Sequence, residues 1–181
     1  MTSKHKTKFL DPKEIEEAIT EVAELARTGE VDVALVGGAA MEIYGSDRLT
    51  KDIDFAVDMH IPGLPVLRPL TFGGFASETS QKIPIDVIVR DDAYADLYRE
   101  AIEHAVDAGL PVKVVTPEHL AALKMAAGRV KDELDLKKLI ELNAVDVPKT
   151  RKIIKTYLGE YAARTFDAII DEIAWRRSRE G

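Results

Sequence analysis

The chain has 181 residues, with 46% hydrophobic and 31% charged residues, no cysteine and a net charge of −7. Without cysteine there is no disulfide, no thiolate nucleophile and no Cys-based zinc site. The acidic balance argues against non-specific nucleic-acid binding, and no apolar run approaches the ~20 residues of a membrane span.

The opening segment MTSKHKTKFL is polar and basic and lacks the apolar stretch of a signal peptide, so a cytoplasmic protein is expected. The four histidines, His5, His60, His104 and His119, are scattered without metal-ligand pairing. Asp11-Pro12-Lys13-Glu14 reads as a helix start: Asp11 caps, Pro12 takes the first helical position and Glu14 completes a capping box. Ile15, Ala18, Ile19, Val22, Ala23 and Ala26 then repeat at helical spacing, and Gly29 ends the helix. Val31 to Val36 is a β-branched-rich run and reads as a buried strand, broken by Gly37-Gly38. A short helix is expected over Ala39 to Tyr44 and a strand over Asp52 to Val57. Ile61 to Gly74 is rich in Pro and Gly and reads as loop containing a short strand.

Lys82 to Val89 is a further strand candidate. Asp91 or Asp92 is placed to cap a helix reaching about Ala108, and Val112 to Val115 is another short strand. Thr116-Pro117-Glu118 starts a helix in which Leu120, Leu123, Lys124 and Ala127 share a face; Gly128 interrupts it. Asp132 to Leu142 and everything after Pro148 read as helical. Asp132 and Asp135 read as helix charges, with Asp135 paired to Lys131, Lys138 or Arg129. Tyr44 reads as core or cleft wall, and Trp175 as a packing anchor. Arg151, Lys152, Lys155, Arg164, Arg176, Arg177 and Arg179 read as solvated helix faces, with an anion- or RNA-facing surface as the alternative. The order predicts an α+β (or α/β) architecture: a small mixed sheet flanked by helices over residues 1–115, and a helical C-terminal part over 116–181.

The chemistry concentrates in VALVGGAAMEIYGSDRLTKDIDFAV. Strand residues i and i+2 share a face, so Asp52 and Asp54 project together while Ile53 and Phe55 enter the core. Two carboxylates on one face of a buried strand call for a cation or a shared proton. Asp86 is the one charge in the apolar run Ile83-Pro84-Ile85-Asp86-Val87-Ile88-Val89, where an unpaired carboxylate is costly. Pairing of that run with 52–57 would bring the three together, an oxygen donor set suited to two Mg²⁺ ions and to nucleotidyl transfer. Gly37-Gly38, between a strand and a helix, reads either as a phosphate-facing turn or as a plain tight turn.

Gly37-Gly38, thirteen residues, then Asp52-Ile53-Asp54, with Arg48 and Thr50 just upstream, resembles the polymerase-β-type nucleotidyltransferase superfamily. Within it, the chain is most similar to the abortive-infection, type IV toxin-like nucleotidyltransferases. Leu123-Lys124 and Gly128-Arg129-x-Lys131-Asp132-x-x-Asp135 resemble a downstream motif of that group. The resemblance implies binding of an NTP such as ATP with Mg²⁺, and transfer of a nucleoside monophosphate to an acceptor hydroxyl on RNA (tRNA ends), a partner protein or a small molecule. It implies Asp52, Asp54 and Asp86 as metal ligands, with Asp86 also the base. It assigns nucleotide contacts to Gly37, Gly38, Arg48, Thr50 and Lys124. Ala39 follows Gly38 where the wider superfamily often has a serine. A toxin–antitoxin role is one extension of this reading. A non-catalytic binding module of the same fold is the alternative, and a metal-dependent phosphohydrolase a third possibility.

Overall fold

The computed structural model describes residues 8–180; His5 lies outside them. The elements are α1 (Pro12–Thr28), β1 (Val33–Val36), α2 (Gly37–Ile43), β2 (Ile53–Val57), β3 (Arg68–Pro69), β4 (Phe75–Glu78), β5 (Pro84–Ile88), α3 (Ala95–Glu103), β6 (Lys113–Val114), α4 (Pro117–Ala127), α5 (Val130–Glu141) and α6 (Val147–Glu180). The expected mixed sheet with a helical C-terminal part is present. Its six strands run β3-β4-β5-β2-β1-β6. β2 pairs antiparallel with β1 and parallel with β5, while β4 pairs antiparallel with β5.

Local chemistry explains the elements that the sequence announces. The Asp11 carboxylate accepts from Glu14 N at 2.9 Å and Glu14 returns the contact to Asp11 N at 2.9 Å, so both orphan donors at the start of α1 are satisfied. Ala18, Ile19, Val22 and Ala26 form its buried face. Ile53, Phe55 and Ala56 of β2 are fully buried, as expected of a central strand covered on both faces. α4, capped by Thr116, packs against α3, α5 and α6.

Several elements depart from expectation. β4 falls where the turn-rich segment hides it: Phe75 follows Gly73 and Gly74, both at positive φ. A Cβ on Gly74 would sit 2.0 Å from the carbonyl oxygen of Val87, so glycine there lets β4 approach β5. α3 is shorter at both ends than the 92–108 reading. Arg90 engages the Asp92 carboxylate, which also caps Tyr94 N, so the helix starts later. Beyond His104 the chain turns to pair Val106 with Val114. α6 is broken at Gly159 (φ 89°, ψ 175°), a conformation open to glycine, although the apolar pattern continues through it.

Two further readings are corrected. Trp175 is 59% exposed and carries the Arg179 guanidinium 4.4 Å from its ring centroid; it is not an anchor in the core. The late basic residues are largely engaged. Arg151 pairs with Asp167, Lys155 and Arg164 with Glu160, and Arg176 with Glu141 and Glu172, while Arg177 donates to the Glu141 carbonyl. That is the solvated-helix pattern. No described helix is long and apolar enough to cross a membrane.

Candidate active site

The sheet register builds the site. β2 and β5 pair with Asp54 opposite Asp86, and partners across adjacent strands share a face. Asp52, two residues before Asp54, lies on that same face at the entry to β2. On the other side of β2, Val36 is opposite Asp54, so the chain leaves β1 beside the carboxylates and turns at once into α2.

That turn explains one glycine. Gly37 has φ 65°, and a Cβ on it would lie 1.8 Å from Asp54 Oδ2. Glycine therefore both permits the backbone conformation and leaves room for the carboxylate. Gly38 backs onto Thr50: its Cβ would meet Thr50 Oγ1 at 2.9 Å. Thr50 is buried, and its hydroxyl donates to the Asp52 carbonyl at 2.6 Å. It holds the backbone that presents Asp52.

All eight residues singled out from sequence (Gly37, Gly38, Arg48, Thr50, Asp52, Asp54, Asp86 and Lys124) line one pocket of about 600 Å³. A larger groove of about 910 Å³ lies elsewhere, but it mixes Arg27, Arg99 and Lys113 with Glu24, Asp32 and Asp58 and has no cluster of one sign.

Among the described residues, no side chain makes a hydrogen bond or ion pair with the carboxylates of Asp52, Asp54 or Asp86. The Asp54 side chain keeps some contact with solvent through the pocket mouth, yet protein surrounds it densely, and that surrounding governs its charge. Burial, then the charges of Asp52 and Asp86, push its pKa from 3.8 up to about 7, against the pull of Lys124 and Lys131. Asp86 is raised by burial and by Asp52, with Arg68, Lys131 and Arg129 opposing. Three carboxylates gathered on one face without a protein partner among the described residues, offering only oxygen donors, fit hard divalent cations such as Mg²⁺.

Behind the carboxylates lies a charge network that sequence reasoning missed. Asp132 and Asp135 are buried, not solvated. Lys124, itself 7% exposed, donates to Asp135 at 2.6 Å and to Asp132 at 3.3 Å. Arg48 also reaches Asp135, and Arg129 holds Asp132 through Nε at 2.5 Å and a second nitrogen at 3.2 Å. The partners of Asp135 are thus Lys124 and Arg48, not Lys131, Lys138 or Arg129. Arg68, Arg90, Arg129 and Lys131 also line the pocket. Among the described residues, Arg68 and Lys131 have no carboxylate within ion-pair distance. The Gly128-Arg129-x-Lys131 stretch was a usable signal for two of these; Arg68 and Arg90 carried none.

The carboxylate pKa values make stability depend on pH. The folded chain keeps the Asp54 proton to about pH 7, whereas the unfolded chain releases it near 3.8. Across that window the folded state binds more protons, so stability falls as pH rises toward neutrality and stays reduced above it. In chelator, the thermal midpoint is expected to drop by about 5 °C or more between about pH 5 and pH 8, and millimolar Mg²⁺ at pH 8 is expected to recover it. Subtracting the profile of Asp54→Asn isolates this effect from His119, whose lowered pKa acts in the opposite direction. A profile unchanged by Asp54→Asn and by Mg²⁺ contradicts the prediction.

No protein-family model and no curated protein sequence matches the chain. Solved structures do. The antibiotic-resistance factor ANT(2'')-Ia, in its solution structure, superposes with a TM-score of 0.56 at 17% identity, over 87% of this chain and 98% of its own. A nucleotidyltransferase-like antigenic protein from Paracoccidioides brasiliensis gives 0.49 at 18% identity, over 78% of each chain. ANT(2'')-Ia in complex with adenylyl-2''-tobramycin gives 0.47 at 21%, over 92% of this chain and 99% of that one. The superposition on the first, together with the six-stranded mixed sheet, shows that this chain has the nucleotidyltransferase fold.

Proposed function

We propose that this chain is a Mg²⁺-dependent nucleotidyltransferase that moves a nucleoside monophosphate from an NTP, ATP among them, to an acceptor hydroxyl. The observation that carries the reading is the Asp54–Asp86 register beside Asp52, which supports one cluster of three carboxylates, without an ion-pair partner among the described residues, in a pocket of nucleotide size. Asp52, Asp54 and Asp86 would hold the metal. When bound, two Mg²⁺ ions supply activation of the attacking hydroxyl and neutralisation of the departing pyrophosphate.

Asp86 accepts the proton of the acceptor hydroxyl, for which a raised pKa suits it. The acceptor oxygen bonds to the α-phosphorus as the bond from that phosphorus to the bridging oxygen breaks, and pyrophosphate leaves. Gly37 and Gly38, at the turn from β1 into α2, would offer backbone N–H groups to the phosphates. Lys124 and Arg48 share Asp135, so their charge is partly committed, and Arg68 and Lys131 add cations that form no ion pair among the described residues. The resemblance to abortive-infection proteins extends the reading to a toxin–antitoxin component.

The test is incubation with each labelled NTP and Mg²⁺ against tRNA, candidate toxin or antitoxin proteins and aminoglycosides. Transfer of label to one acceptor, with release of pyrophosphate and loss in EDTA, is expected. Binding of a partner protein without nucleotide or Mg²⁺ binding would instead favour a non-catalytic interaction module.

A further inference from the structure

Two histidines that look unrelated in sequence meet in the fold, outside the carboxylate pocket. Glu100 and His104 are one helical turn apart on one face of α3, with His104 as its C-cap. His119 stands in the first turn of α4. One ligand-type atom from each lies within 4.8 Å of the other two, and the imidazole centroids are 5.8 Å apart. None of the three lines the carboxylate pocket.

His119 supplies the second observation. It is 3% exposed, and its Nδ1 lies 2.8 Å from Oγ1 of Thr116, the cap of α4. Its Nε2 is the one buried side-chain polar atom without a hydrogen-bond partner among the described residues. Leaving such an atom unsatisfied costs roughly 1–3 kcal/mol. With Nδ1–H donated to Thr116, Nε2 presents a lone pair. His104 Nδ1 lies 3.1 Å from the Glu100 carbonyl and 3.6 Å from its carboxylate Oε1, and its Nε2 has no hydrogen-bond partner among the described residues. Imidazoles that ligate metals are oriented by a hydrogen bond from the other nitrogen in this manner.

We propose that Glu100, His104 and His119 bind a first-row transition-metal dication, Zn²⁺ foremost, that clips α3 to the start of α4. Two imidazole nitrogens and one carboxylate oxygen suit Zn²⁺, Co²⁺ or Ni²⁺ and not Mg²⁺. Three protein ligands leave a fourth position for water. A tetrahedral ion ~2.0–2.1 Å from each ligand draws the ligand atoms to about 3.3 Å from one another. The His104 and Glu100 side chains, 54% and 33% exposed, have the freedom to rotate onto the fixed His119. α3 also carries Tyr98, and α4 carries Lys124, both in the wall of the carboxylate pocket. The clip therefore ties together two helices that form that wall, and its existence does not depend on the transferase reading.

The experiment uses the full chain stripped of metal. Co²⁺ is expected to give the intense visible bands of a four-coordinate site at one ion per chain, and Zn²⁺ is expected to displace it and raise the thermal midpoint. Excess Mg²⁺ should displace neither. His104→Ala alters an exposed side chain, and Glu100→Gln keeps the shape of a partly exposed one, so both spare the fold. Each is expected to weaken Zn²⁺ by more than the ~10–100-fold that loss of an outer-shell partner costs, while Asp54→Asn binds Zn²⁺ as the wild type does. Only the weak spectrum of six-coordinate Co²⁺, or Zn²⁺ affinity unchanged in both His104→Ala and Glu100→Gln, overturns the proposal.

Discussion

Asp54→Asn is expected to reduce nucleotidyl transfer by on the order of 10³-fold in kcat/KM and, in chelator at neutral pH, to raise the thermal midpoint. The two effects share one cause. Asp54 is the most densely enclosed of the three carboxylates, its pKa lifted to about 7 by burial and by Asp52 and Asp86. Without metal this charge is a liability, and a neutral amide of nearly the same shape removes it. On the proposed reading, the same charge would hold the metal ion against the triphosphate. Loss of one well-placed electrostatic contact at a reacting centre typically costs 10²–10³-fold, and a metal ligand stands at the upper end of that range. An amide contributes one weak oxygen donor and no charge. Steady-state kinetics on the acceptor found by the labelling assay measures the first effect and calorimetry the second. Stability gained with activity kept would separate Asp54 from the chemistry. Activity lost with stability also lost would indicate a misfolded variant.

Lys124→Met is expected to destabilise the chain by about 3 kcal/mol, toward the lower end of the ~3–5 kcal/mol that follows loss of one partner from a buried ion pair. Among the described residues, Lys124 is the only cation that touches both Asp132 and Asp135. Methionine fills its volume without its charge and leaves two buried carboxylates facing each other. Arg129 still holds Asp132 and Arg48 still holds Asp135, which is why the lower end is expected. Urea unfolding measures the change. Pairing Lys124→Met with Asp135→Asn should recover part of the loss, because the neutral amide removes one stranded charge. A cost below about 1 kcal/mol for Lys124→Met alone would mean that the network does not hold α4 to α5.

What was legible in the sequence was what short-range periodicity encodes. Asp54 and Asp86 stand out because each interrupts a run of strand-forming apolar residues, Asp52 stands at the start of the first run, and the i, i+2 rule orients Asp52 with Asp54 before any fold is known. The caps at Asp11 and Thr116 are equally local, since the capping side chain lies within three residues of the donor it satisfies. Asp132 and Asp135 were not legible. Their helix carries charges all around, and only the packing of α5 on α4 decides which of them are buried. The same holds for His104 and His119: fifteen positions apart on separate helices, they meet because α3 packs on α4. Trp175 shows the converse, since a large apolar residue at helical spacing reads as core, yet α6 turns it outward over Arg179. β4 was hidden by the two glycines just before it, Gly73 and Gly74, which look like loop and let two strands close together.

A crystal structure of the chain soaked with Mg²⁺ and a non-hydrolysable NTP bears most directly on the central claim. Metal density touching oxygens of Asp52, Asp54 and Asp86, with the triphosphate reaching toward Gly37 and Lys131, is the predicted result. Nucleotide bound at another surface, or a triphosphate in the pocket with no cation between it and those three side chains, contradicts it.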